Sequence, residues 1–132
     1  MSGGKDSGRE VFEYALLRVV PRVERGEAIN AGVVLYCRAR SFVVCRTHLD
    51  EQRLRALDPE VDLEGVHAAL RAAEGACHGG DAAGQAAGEA PGARFRWLVA
   101  PRSTVVQPGP VHTGLTSDPE AEADRLLELL VR

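Results

Sequence analysis

Phe12-Glu13-Tyr14-Ala15-Leu16-Leu17-Arg18-Val19-Val20 is the segment from which the fold can be built outward. Phe12, Tyr14, Leu16 and Val20 fall on one face at period two, and Ala15, Leu17 and Val19 fall on the other. Apolar side chains on both faces predict a central strand covered on two sides. Pro21 ends it, because proline cannot donate to a ladder. Residues 32–37 and 41–46 repeat the strand chemistry on either side of Arg38-Ala39-Arg40, which predicts a hairpin.

Further along, the period changes. Asp50 predicts a helix cap, with Leu49 and Leu54 at the spacing of a hydrophobic staple, and Asp58-Pro59 stops that helix. A second helix is expected over residues 62–76, burying Leu63, Val66, Leu70, Ala73 and Cys77 at three-four spacing. Gly and Ala make up 11 of the 15 residues from 79 to 93, so a flexible loop with little to pack is expected there. Residues 94–99 alternate Phe95, Trp97 and Val99, which predicts a strand, and residues 104–107 offer another. Residues 108–114 carry too much Pro and Gly to be regular. Asp118 and Pro119 suit the cap and first position of a last helix that reaches Val131 and buries Leu126, Leu127 and Leu130.

Strands and helices segregated in this way imply an α+β, two-layer domain with a mainly antiparallel sheet of four or five strands and three helices. Residues 1–10 read as a disordered tail and 11–132 as one α+β domain.

Composition narrows the function classes. The chain has 132 residues and a net charge of -3, which argues against a general affinity for nucleic acid. It has no apolar run of the roughly 18 residues that a membrane span needs, and its N-terminus lacks the apolar core of a signal peptide, so a cytoplasmic protein is expected. Lys5 is the only lysine, a bias that a GC-rich bacterial genome produces. Cys37, Cys45 and Cys77 have no framework spacing and fit a reduced compartment.

The chemical motifs are sparse. Ser2-Gly3-Gly4-Lys5-Asp6-Ser7 is similar to the pyrophosphate loop of ATP pyrophosphatases, yet only Met1 precedes it, so no strand presents it. Cys45-x-x-His48 and Cys77-His78 lack the third and fourth ligands that a zinc site requires, and no metal or cofactor is expected. The best constellation joins Arg25, Glu27 and Asn30, between the first two strands, with Arg102, His112 and Thr113 downstream. If the two segments meet at one end of the sheet, Arg would bind an anion, His would move a proton and Asn would orient. The structural alternative has Glu27 and Asn30 bonding their own loop, with Gly26 and Gly32 supplying unusual dihedrals.

The segments Arg25-Gly26-Glu27, Asn30-x-Gly32-Val33-Val34-Leu35, Trp97-Leu98-Val99-Ala100-Pro101-Arg102 and His112-Thr113-Gly114 resemble the bacterial family catalogued as domain of unknown function 3037. The resemblance runs over about residues 12 to 131, outside the Gly/Ala stretch, with Ala31 where the family more often has Val. It implies a small soluble domain with no established reaction. It also implies proteins that neighbour HipA-like kinases, and hence a binding or regulatory role with a protein partner; a homodimer stays open. The alternative class is an anion- or nucleotide-binding enzyme built on the Arg/His/Asn loops.

Overall fold

The computed structural model describes residues 8–79 and 90–132. Strand β1 (Glu10–Val19) is central, as its two apolar faces require. Strand β2 (Ile29–Cys37) pairs with it on one side, and β3 (Phe42–Thr47) follows β2 through a 3-10 turn at Arg38–Arg40. On the other side β1 pairs with β4 (Val106–Pro108) and then β5 (His112–Thr116). All these pairs are antiparallel, giving one five-stranded sheet.

Among the described residues four helices complete the α+β fold: α1 (Glu51–Leu57), α2 (Leu63–His78), α3 (Pro91–Leu98) and α4 (Pro119–Leu130). The caps read from sequence at Asp50 and Asp118 are formed, and Asp62 caps α2 in the same way. The carboxylates of Asp50, Asp62 and Asp118 accept from the amides of Arg53, Gly65 and Ala121, each at 3.1 Å, filling the free first-turn donors.

The two-layer expectation is corrected to three layers. Phe12, Val33, Leu35, Cys37 and Val44 pack against Ala123 and Leu126 of α4 on one face. On the other face Ala15, Leu17, Val34 and Cys45 meet Ala76, Cys77, Phe95 and Leu98 of α2 and α3. A second cluster there joins Val19, Ile29 and Ala31 to Leu54, Val66 and Leu70 of α1 and α2.

The expected strand over 94–99 is instead helix α3. Phe95 and Leu98, one turn apart, are the buried pair, while Trp97 points out at 38 % exposure. Pro91 sits in the first turn, where its missing N–H costs nothing, and the Phe95 ring stacks on Tyr36 at 5.5 Å. The period-two pattern of Phe95, Trp97 and Val99 was accidental. Residues 108–114 are likewise more regular than their composition suggests, because β5 starts at His112. Gly114 lies opposite Phe12, and a Cβ there would come within 2.7 Å of the Phe12 ring, so this glycine lets the strand fit. The strand expected over 104–107 forms slightly later, as β4.

Of the Gly/Ala stretch 79–93, residues 80–89 lie outside the described residues, and Pro91, Gly92 and Ala93 belong to α3. The Ser2-to-Ser7 motif also lies outside them, while Glu10 already pairs with Thr116.

Candidate functional site

The polar loop between β1 and β2 spans residues 20–28 and folds on itself. The amides of Arg25 and Gly26 donate to the Arg22 carbonyl at 3.0 and 3.2 Å, and Gly26 adopts φ +71°, which glycine reaches without strain. Arg25 then pairs with Glu27 through two bonds of 2.8 and 3.2 Å, and Arg22 pairs with Glu24 at 3.2 Å. The Arg25 guanidinium holds the Glu27 carboxyl below its usual range. All four side chains are exposed, so the loop neutralises its own charges in water.

Asn30 is in strand β2 and not in the loop. The ladder passes from Leu17 opposite Gly32 to Arg18 opposite Asn30, leaving Ala31 as the extra residue of a bulge. Beyond the bulge, Asn30 Nδ2 donates to the Leu130 carbonyl at 3.1 Å, which satisfies a free acceptor in the last turn of α4. Gly32 has no positive φ. It is needed because a Cβ there would meet the Arg46 carbonyl at 2.9 Å.

The downstream residues have separate settings. His112 lies opposite Tyr14, the two rings 5.3 Å apart, and Thr113 lies opposite Glu13. Arg102 lies over the Trp97 ring at 4.8 Å and donates to the carbonyls of Trp97 and Ala100. Arg25 and Glu27 are therefore held together, Asn30 is tied to α4, the His112 ring lies tilted against Tyr14, and Arg102 stands at a cleft that the other five do not line.

That cleft has a volume of about 620 Å³ and opens between α2 and the segment from Trp97 to Val106. This falls within the usual range for ligand sites, roughly 300–1,000 Å³. Its floor is apolar: Val61, Val66, Leu98 and Val106, with Ala69, Ala72 and Ala73 of α2 leaving the space open. Trp97 and Val105, each 38 % exposed, also line it. Asp58, Glu60 and Asp62 also line the cleft, Asp58 with only 8 % of its surface exposed, and Arg102 is the one cation among the lining residues. Asp58 and Asp62 each spend one oxygen on a backbone amide, those of Glu60 and Gly65.

Sequence reasoning had placed Asp58 and Asp62 only at helix ends, Ala73 only in a buried stripe and Trp97 in a strand. The available signal was a helix carrying small residues at 69, 72 and 73 in a chain with one tryptophan.

The family model described as "Protein of unknown function (DUF3037)" matches residues 14–131, from β1 to the end of α4. The chain belongs to the DUF3037 family. No curated protein and no solved structure matches this DUF3037 chain.

Two other chemistries can be placed. Burial pushes the Cys45 thiol far up, helped by Cys77 and Glu74, and pushes that of Cys77 up to about 12. Neither is a thiolate nucleophile at neutral pH. Among the described residues no group of three or more His, Cys, Asp or Glu is placed to hold a metal ion, and no helix is long and apolar enough to cross a membrane.

Proposed function

We propose that this DUF3037 chain is a non-catalytic binding domain. Its α2–Trp97 cleft receives an apolar side chain of a protein partner whose neighbouring residue is basic. One observation carries the reading: an apolar cleft of about 620 Å³ is lined by an exposed tryptophan and by the acidic residues Glu60 and Asp62, with the buried Asp58 behind them. Aromatic anchors dominate protein interfaces, and charged rims set which partner is accepted. The HipA-like kinase implied by the family resemblance is the first protein to test as that partner.

The alternative, an anion- or nucleotide-binding enzyme, would need Arg102 as its cation. Three acidic residues line the same cleft against one Arg, and the Arg102 guanidinium already serves two carbonyls, which supports a cation over an anion as the charge accepted there.

Trp97 is the only tryptophan, so intrinsic fluorescence reports on this cleft. A peptide library selected on the protein should enrich an apolar residue next to Arg or Lys, and the selected peptides should shift Trp97 emission. Ala69→Phe should plug the cleft and abolish the shift, and Glu60→Lys should reverse the charge preference. Selected peptides that bind Ala69→Phe as well as wild type would refute the reading.

A further inference from the structure

Arg102 lines the Trp97 cleft together with Glu60 and Asp62, yet among the described residues it forms no ion pair. Its guanidinium lies over the Trp97 ring, 4.8 Å from the centre, and donates to the carbonyls of Trp97 and Ala100. A cation in that position meets the negative face of the indole. The Glu60 carboxylate has no ion-pair or hydrogen-bond partner among the described residues, and Asp62 spends one oxygen on the Gly65 amide. The cleft thus combines an aromatic ring already taken by a cation with carboxylates still open to one.

Little holds Arg102 in place. Its bond to the Ala100 carbonyl is 3.3 Å long. The Trp97 carbonyl also accepts the Ala100 amide at 3.4 Å, so it keeps a donor when the guanidinium leaves. Pro101, Ser103 and Thr104 on either side are exposed, and the side chain can swing into water without disturbing a packed cluster. Exchanging one cation for another on the same ring is close to balanced, and an incoming cation adds the attraction of Glu60 and Asp62.

We propose that Arg102 is an internal stand-in for the partner's basic residue. In the free protein it covers Trp97; on binding, the partner's cation takes its place on the ring. Arg102 is then the residue that sets selectivity, because a ligand without a cation cannot displace it. This role depends on the cleft accepting an apolar residue beside a basic one, as proposed above.

The probes are acetyl-Leu-Arg-amide and acetyl-Leu-Gln-amide, titrated against the full chain and followed by Trp97 emission. Arg102→Gln should bind the arginine peptide about 2- to 5-fold more tightly, the range of an exposed cation–π contact, and the glutamine peptide no better. Arg102→Lys, which keeps the charge but not the planar fork, should fall between. In the wild type, NMR should show the Arg102 side-chain protons shifted upfield by the indole ring current, and the arginine peptide should remove that shift. The NMR result decides even where Arg102→Gln folds poorly by circular dichroism. An equal gain for both peptides, weaker binding by Arg102→Gln, no binding by either protein, or a ring-current shift that persists at saturation would each overturn the proposal. Ala69→Phe separates the two levels. If it blocks both peptides while Arg102→Gln brings no gain, the cleft stands and the stand-in falls; if it blocks neither, both fall.

Discussion

The two faces of the sheet are covered in different ways. On one, α4 alone closes a continuous cluster from Phe12 to Leu126. On the other, three helices share the work, and the buried residues divide into two clusters with the Trp97 cleft between α2 and the chain leading to β4. The cause is side-chain volume. Helix α4 presents Leu126, Leu127 and Leu130 to the sheet, whereas α2 presents Ala69, Ala72 and Ala73 to the cleft. Long side chains close a gap between layers and alanines leave it open. The divided face therefore combines a load on a few large residues with an open cleft.

If that comparison holds, the divided face should be most vulnerable at Phe95, which is fully buried and joins α3 to Tyr36. Phe95→Ala should destabilise by about 3–5 kcal/mol in chemical denaturation, the range for deleting a buried aromatic ring. A loss below about 1 kcal/mol would mean that α3 is not anchored through this ring.

The join between the faces comes next. Gly32→Val should cost about 1–3 kcal/mol by overpacking against the Arg46 carbonyl, a steric cause with no contribution from φ. Asn30→Ala should cost about 1–3 kcal/mol, because the part-buried Leu130 carbonyl loses its donor. Asn30 reaches α4 only because the bulge at Ala31 re-aims the strand. An Asn30→Ala protein as stable as wild type would separate the bulge from α4.

On the simple face the helix end is the sensitive point. Asp118→Ala should cost about 1 kcal/mol through loss of the bond to the Ala121 amide, and Asp118→Asn should restore most of it. No recovery with asparagine would show that charge at the N-terminus, and not the hydrogen bond, is what matters.

The same contrast explains what could be read from the sequence. Strands β1 to β3, their hairpin and the caps at Asp50 and Asp118 depend on local chemistry, so period and residue type revealed them. Helix α3 was hidden because Phe95, Trp97 and Val99 alternate by chance, and only the sheet beneath shows that Phe95 and Leu98 are the buried pair. Strand β5 was hidden because Gly114 looks like a breaker until Phe12 is seen against it. Arg102 was a candidate from the sequence, and the cleft it lines was not. A cavity depends on what neighbouring elements fail to fill, which no single segment records.

The smallest effect is expected at Arg25, outside both faces. Its guanidinium is fully exposed, and its charge is matched by Glu27 two residues along the same loop, so the pair ties no two elements together. The depressed Glu27 carboxyl sets the sign of any pH effect. Stabilisation from the pair is present above the ordinary carboxylate value and fades as pH falls through the lowered one. In water that contribution is heavily screened, so Arg25→Ala should leave the denaturation midpoint at pH 7 within error of wild type. It should also leave Trp97 fluorescence titrations with selected peptides unchanged, because Arg25 does not line the cleft. A folded Arg25→Ala protein that no longer captures a partner bound by wild type would move recognition from the divided face to the loop. Arg25, Glu27 and Asn30 would then become the site, and the Trp97 cleft a consequence of packing.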